Sequence, residues 1–264
     1  PACAEPPSIY STLKVPGTVV KDIAGLEAGT NHGRAADKYV YSASVVNQWL
    51  EKPSTQPKNK KIVFVTFDDG PTTKFTGEQL DNLEKAGARA TFFMIPPQMR
   101  DVGKNLLSRS LKMGNALAIH SYSHDYKYLY HGSAANKAKH IGCDWDWAMA
   151  QSRAILGSNY FSSAFRYPGG HMSWTNLSQA DAALAKRGVG WIDWNAMSGD
   201  ADAQRPTTVL GYLEMVKKSI KESNNPNVVV ILNHDTYGKQ MTAKAMPSIL
   251  AWLKSQGYEF GVIA

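Results

Sequence analysis

Two observations predict an α/β protein whose parallel sheet curves into an irregular or incomplete barrel. From residue 62 onward, short apolar runs alternate with amphipathic stretches through about six or seven βα units. The first run, residues 62–67, ignores polar alternation, as expected for a strand buried on both faces of a parallel sheet. Units of this length and number favour a barrel over an open, doubly wound sheet.

Each predicted strand is followed by a predicted helix. The strands are short β-favouring runs that end at turn residues, and the helices have apolar residues three or four positions apart. In chain order the pairs are 62–67 with 77–86, 90–95 with 102–113, 116–119 with 134–156, 164–166 with 177–187, 189–194 with 207–222, and 228–232 with 246–255, before a closing strand at 258–263.

Residues 1–61 lack this alternation. They are polar and glycine-bearing at first, with one predicted helix near 42–51 and a linker rich in Pro, Ser, Gln and Lys at 53–60. We therefore divide the chain into an N-terminal extension and linker, 1–61, and a barrel domain, 62–264. The extension could pack on the base of the barrel or be the end of a longer N-terminal region.

Composition limits the class of protein. With 264 residues and 43% hydrophobic content, the chain can bury a large core and is not disordered. Its 29 basic and 22 acidic residues give a net charge of +7, which suits an anionic neighbour. Without a zinc-finger spacing, a recognition helix or an RNA-binding aromatic motif, we expect no nucleic-acid partner and favour a polyanionic cell wall.

Location and assembly follow less directly. No stretch approaches the roughly 18 apolar residues of a membrane span, and the given sequence opens at Pro1 without a charged and apolar leader, so we expect that any signal peptide has been removed. We expect an extracellular or envelope-associated monomer whose signal or anchor is not in this chain. Cys3 and Cys143 could form a disulfide after export, although Cys143 could equally be a small buried residue and Cys3 could carry a lipid.

Polar clusters follow the predicted strands. Asp68 and Asp69 end the first strand, and two adjacent acids there usually bind a cation or take part in proton transfer. His120 and His124, after the third strand, fall on one face if the segment winds as a helical turn. An arbitrary pair of this spacing is more often one packed and one surface histidine, but a nearby carboxylate would complete a common metal-binding set.

Three further strand ends carry candidates for chemistry. Arg166 precedes a Tyr-Pro-Gly-Gly loop that could direct backbone N–H groups into a cleft, although alone it is a generic turn. Asp193 lies between Trp191 and Trp194, and His234 follows an apolar strand as a possible acid or base. Because parallel strands end on one rim, these clusters are expected to converge there.

Together these motifs resemble the five ordered motifs of the polysaccharide deacetylases, the NodB-homology carbohydrate esterases of family four. The resemblance covers about residue 62 to the C-terminus and implies the (β/α)7-type barrel of that family. The motifs are 66–71 (TFDDGP), 120–124 (HSYSH), 166–170 (RYPGG), 193–194 (DW) and 232–235 (LNHD).

The resemblance implies a metal-dependent hydrolase that removes acetyl groups from N-acetylated sugars. Zinc is the expected metal, with cobalt or another divalent ion as alternatives. Asp68 is the expected base, Arg166 orients it, His234 protonates the departing amine, and Asp193 holds His234 in its cationic form. The implied metal ligands are Asp69, His120 and His124, and the implied substrate contacts are the Gly169 N–H, Tyr167, Trp194 and Leu232.

This chain departs from the family pattern at two motifs. The third lacks the second proline and following aromatic residue found in many members, so the groove wall there differs. The fourth is shorter than usual, and Asp200 is a less favoured stand-in for Asp193.

The motifs leave the substrate open among the N-acetylglucosamine of peptidoglycan, chitin oligomers and acetylated xylan. We favour peptidoglycan, because a basic exported chain suits an anionic bacterial wall. A non-catalytic glycan-binding module would require loss of the base or of a metal ligand, and none is missing. A phosphoesterase barrel would usually gather more carboxylates around two metals.

Overall fold

The computed structural model describes Cys3 and residues 19–264. Among these residues, no helix combines the length and the apolar character that a membrane crossing requires. In chain order the elements are β1 (Val40–Tyr41), α1 (Ala43–Glu51), β2 (Ile62–Asp68), α2 (Thr73–Ala86), β3 (Ala90–Met94), α3 (Lys104–Lys112), β4 (Ala116–Ile119), α4 (Tyr126–Tyr130), α5 (Ala134–Leu156), β5 (Ala164–Phe165), α6 (Ser178–Lys186), β6 (Gly190–Trp191), β7 (Ala196–Met197), α7 (Val209–Glu222), β8 (Val228–His234), α8 (Gln240–Ser255), β9 (Glu259–Phe260) and β10 (Val262–Ile263).

The main sheet is parallel and follows the strand order β6-β5-β4-β3-β2-β8-β7, with β9 pairing to the start of β2. Every residue of β2, β3 and β4 is buried, as expected for strands covered on both faces. Within the described residues, the end strands β6 and β7 do not pair with each other. The predicted α/β fold with an irregular, incompletely closed barrel is confirmed.

The two faces of the sheet contribute to different clusters because side chains alternate along a strand. Ile62 and Phe64 of β2 pack with Ala43 and Val46 of α1, whereas the alternate residues of the strand pack with the outer helices. Helix α1 begins at Ser42, whose side chain accepts a hydrogen bond from the Val45 N–H. The segment before the barrel thus covers one face of the sheet, while the division of domains at residue 61 stays a prediction.

Cys3 and Cys143 form a disulfide across a sequence separation of 140 residues. This resolves the two alternatives left open for these thiols in favour of pairing. The bridge attaches Cys3 to the middle of helix α5. A cross-link over so long a segment lowers the conformational entropy of the unfolded chain and stabilises the folded one.

Replacing Cys3 by Ser is therefore expected to lower the free energy of unfolding by about 2–4 kcal/mol. Denaturant unfolding of the oxidised protein measures the change. The control is the double variant Cys3→Ser with Cys143→Ala, which should lose only slightly more than Cys3→Ser, because the cross-link can be lost only once. Equal stability of the wild-type protein with and without reductant contradicts a stabilising bridge.

Candidate active site and metal centre

The carboxyl ends of the parallel strands bring the polar clusters to one rim. Asp68 and His234 are direct partners in the register of β2 with β8, at the last residue of each strand. His120 comes directly after β4, and Arg166 comes directly after β5. Residues separated by more than 160 positions in the chain thus become neighbours.

Asp69, His120 and His124 converge on a common point, their nearest ligand atoms all lying within 4.8 Å of one another. Asp69 Oδ1 lies 3.3 Å from His120 Nε2 and 3.2 Å from His124 Nε2. The φ angles of Asp69 (77°) and His124 (47°) lie in the left-handed region, which residues other than glycine adopt at a cost in free energy. The surrounding fold therefore holds two of the three residues in a strained backbone conformation.

The three residues fit a divalent metal ion. His120 Nδ1 lies 2.8 Å from the Arg166 carbonyl oxygen and donates its proton to it. In a neutral imidazole the lone pair is then on Nε2, which faces Asp69 and is free to bind a metal ion. Asp69 Oδ1 is buried and has no hydrogen-bond partner among the described residues. Burial raises the pKa of Asp69, but the imidazoles outweigh it and lower that pKa below its usual range.

Arg166 is fully buried and holds Asp68. Its Nη1 lies 2.9 Å from Asp68 Oδ1 and 2.7 Å from the Thr66 hydroxyl. Its Nε and Nη2 donate to the carbonyl oxygens of Ile192 and Asp193. Asp68 is 2% exposed, so this contact is shielded from water and fixes the carboxylate.

The predicted pairing of Asp193 with His234 is wrong, and Asp200 is the partner. His234 Nδ1 lies 2.8 Å from Asp200 Oδ1, and the His234 N–H donates to Asp200 Oδ2. The Asp193 carboxylate instead accepts the backbone N–H groups of His171 and Met172.

The strand order gives the physical reason for this correction. Strand β8, which ends at His234, pairs with β7, and Asp200 follows β7. Asp193 follows β6, at the opposite end of the sheet. The apolar pattern predicts one strand at 189–194, but the chain forms β6 and then a separate two-residue strand, β7, which is too short to recognise by periodicity.

Asp200 is itself fixed by neighbours on the segment that follows β8. Asp200 Oδ2 accepts the Thr242 hydroxyl at 2.8 Å, and its backbone carbonyl accepts Lys239 Nζ at 2.6 Å. Burial alone lowers the pKa of His234, but the hydrogen bond and charge of Asp200, with the charges of Asp68 and Asp69, raise it to about 9. In the metal-free protein His234 is therefore cationic at neutral pH.

The predicted groove residue Tyr167 lies in the core. It is 1% exposed, and its hydroxyl donates to Asp181 on helix α6 at 2.7 Å. The side chain points toward that helix, so the prediction that Tyr167 borders the groove is wrong. The exposed aromatic residue beside the site is Tyr126, which sequence reasoning missed although it lies two residues after His124.

Tyr126 is 46% exposed, and its ring centroid lies 5.6 Å from that of His124. Its hydroxyl has no hydrogen bond within the described part of the chain, and a Cβ added to Gly169 would lie 3.2 Å from it. Burial and the charges of Asp69 and Asp68 raise the pKa of Tyr126. An unpaired hydroxyl thus borders both the histidine pair and the Gly169 loop.

Two further predicted contacts, Trp194 and Leu232, are partly exposed. The Trp194 ring centroid lies 5.4 Å from Cζ of Arg166, and a Cβ at Gly170 would lie 2.7 Å from Trp194 Cη2. Trp194 therefore covers the buried guanidinium and leaves room only for glycine at residue 170. Leu232 is on β8, in register with Thr66 and Met197.

Comparison with known proteins identifies similar sequences and folds. The family described as polysaccharide deacetylase matches residues 55–186. A bifunctional xylanase/deacetylase of Pseudobutyrivibrio xylanivorans is 31% identical over 210 residues, which are 80% of this chain but only 31% of that protein. This chain therefore spans less than a third of that relative.

Two solved structures resemble this fold over most of the chain. A CE4 esterase of Streptococcus mutans is 39% identical with a TM-score of 0.82, covering 93% of this chain and 100% of that one. The catalytic domain of the peptidoglycan N-acetylglucosamine deacetylase of Eubacterium rectale is 28% identical with a TM-score of 0.64, covering 81% of this chain and 94% of that domain.

The corrected pairing predicts a specific change in the titration of His234. In metal-free protein, Asp200→Asn is expected to lower the pKa of His234 by about 1–3 pH units, because it removes the charge that stabilises the imidazolium. Histidine NMR signals followed against pH measure this. The matched control Asp193→Asn should leave that pKa unchanged, and the opposite pattern would restore Asp193 as the partner.

Proposed function

Because this chain belongs to the polysaccharide deacetylase family, we propose that it is a metal-dependent enzyme that hydrolyses the N-acetyl groups of N-acetylglucosamine residues in peptidoglycan. The main support is the arrangement of Asp69, His120 and His124 beside an Asp68 held by Arg166. A metal site, a base and a cationic histidine on one rim suit hydrolysis of an amide.

Asp69, His120 and His124 would hold the metal ion. Two imidazole nitrogens and one carboxylate oxygen are a donor set typical of catalytic zinc, which leaves further coordination positions open, and cobalt accepts the same donors. When bound, the ion would act as a Lewis acid that acidifies water and polarises the acetyl carbonyl.

Asp68 serves as the base. Its Oδ1 is engaged by Arg166, while Oδ2 lies 3.7 Å from His120 Nε2, on the side of the metal ligands. That oxygen can take a proton from the attacking water. Because the Arg166 contact holds the carboxylate in one orientation, the base needs no reorganisation when the water approaches.

His234 serves as the acid. The amine that leaves an amide is a poor leaving group until it is protonated, and an imidazolium next to it can supply the proton. Asp200 keeps His234 charged and orients its ring through Nδ1, so Nε2 carries the proton to be donated. In the metal-free protein this proton is lost above a pH near 9, and the charge of a bound ion would lower that pKa, so the acid function is expected to fail as the pH rises.

Peptidoglycan is the favoured polymer for two reasons. The domain of Eubacterium rectale named as a peptidoglycan N-acetylglucosamine deacetylase shares this fold along 81% of the chain. The net charge of +7 also suits work outside the cell against an anionic wall. Tyr126 and Trp194 would border the sugar, and Leu232 would line the pocket for the acetyl methyl group.

Acetate release measured side by side on peptidoglycan, chitin oligomers and acetylxylan tests the substrate. We expect the highest kcat/KM on peptidoglycan. Higher activity on either other polymer replaces peptidoglycan in the proposal and leaves deacetylation intact. Binding to all three polymers without any acetate release, in zinc-loaded or cobalt-loaded protein, would instead indicate a glycan-binding module.

Loss of the base and loss of a metal ligand should have different effects in a mutant series. Asp68→Asn is expected to retain metal and lose roughly 10³-fold or more in kcat, because the amide cannot accept the proton. His120→Ala should lose both metal and turnover. Elemental analysis and acetate release measure the two effects, with Asp146→Asn as the surface control. Near-normal acetate release by Asp68→Asn would show that Asp68 is not the base.

A further inference from the structure

The loop after Arg166 contains a tight turn with a defined peptide orientation. The Gly170 N–H donates to the Tyr167 carbonyl at 2.8 Å, and Gly169 has a φ of 79°. With Pro168 at the second position and glycine at the third, this is a type II turn. Types I and II differ mainly by a flip of the central peptide, here the one joining Pro168 to Gly169.

Two side chains hold this central peptide from one side. The Pro168 carbonyl accepts the Tyr130 hydroxyl at 2.7 Å and Trp174 Nε1 at 2.9 Å. The two rings stack with centroids 3.9 Å apart, and Tyr130 is 8% exposed. The next carbonyl, that of Gly169, accepts the Ser173 hydroxyl at 2.7 Å. A flip to type I would break both bonds to the Pro168 oxygen.

The peptide between Pro168 and Gly169 is trans, so its N–H points away from its carbonyl. Fixing the carbonyl against Tyr130 and Trp174 therefore fixes the N–H of Gly169 in the opposite direction. This N–H has no hydrogen-bond partner within residues 19–264 or at Cys3. Gly169 also adjoins the hydroxyl of Tyr126, whose ring contacts His124.

We propose that Tyr130 and Trp174 are positioning residues, which lock the Pro168–Gly169 peptide so that the Gly169 N–H is presented to the oxyanion of the reaction. This inference rests on the proposed function and adds to it the two side chains that orient the N–H donor for the oxyanion. As the water oxygen bonds to the acetyl carbon and Asp68 takes the proton, the carbonyl electron pair moves onto the oxygen. A donor already in place stabilises that charge without reorganisation.

A purely structural role is the alternative, since a buried tyrosine hydroxyl needs an acceptor wherever it lies. The two roles differ in what they do to the reaction. Loss of packing would lower stability, or affect substrate binding and turnover together. Loss of the peptide lock would lower kcat and leave KM unchanged, because the developing negative charge exists only in the transition state.

The test compares Tyr130→Phe, Trp174→Phe and the double variant. Each single variant removes one of two donors and should lower kcat about 10-fold, and the double variant roughly 10²-fold, with KM within about two-fold of wild type. The matched control is Tyr128→Phe, on the same helix, whose hydroxyl makes no hydrogen bond among the described residues. Its kcat and its metal content should both match the wild-type values.

A second measurement uses a substrate whose acetyl group is replaced by trifluoroacetyl. The fluorines withdraw electrons and stabilise the oxyanion themselves, so the loss in the double variant should be several-fold smaller on this substrate. Equal losses on both substrates, or kcat unchanged in all three variants of an active enzyme, would overturn the proposal. The single variants decide the matter if the double variant does not fold, and an inactive wild-type protein would overturn the proposed function as well.

Discussion

The site depends on the buried guanidinium of Arg166. A charge removed from water is costly unless its donors find acceptors, and here four acceptors are present, namely Asp68, Thr66 and two backbone carbonyls beyond β6. The same residue uses its own carbonyl to accept His120 Nδ1. Arg166, which follows β5, therefore both orients the carboxylate of Asp68 at the end of β2 and sets the tautomer of His120 after β4.

This arrangement explains how two adjacent carboxylates acquire different surroundings. Asp68 is the last residue of β2, is 2% exposed and points toward Arg166. Asp69 leaves the strand with a positive φ, which turns its side chain toward His120 and His124. The change of backbone direction within one peptide thus places one acid with a fixed cation and the other with two imidazole nitrogens.

How far the sequence predicts the site depends on how much of each motif is local. The strand ends at Asp68 and Arg166 follow from apolar runs that stop at turn residues, so the rim could be predicted before the structure was known. The partner of His234 could not, because it depends on β7, a two-residue strand whose pairing with β8 is a property of the sheet. The burial of Tyr167 likewise depends on Asp181 of α6, which local pattern does not reveal.

Charge at the rim follows from the same contacts. Asp68, Asp69 and Asp200 face the cationic Arg166 and His234, so carboxylates are in excess before any ion is considered. A further acid, Asp235, is buried beside them, and burial with the charges of Asp69 and Asp68 raises its pKa to about 7 despite the hydrogen bond from Thr76. At neutral pH that group is partly protonated and adds less than a full negative charge. The remaining excess is concentrated at Asp69. Burial lowers the pKa of His120, but the charges of Asp68 and Asp69 raise it above its ordinary value in the absence of an ion, and a dication bound by the two imidazole nitrogens would supply this positive charge instead.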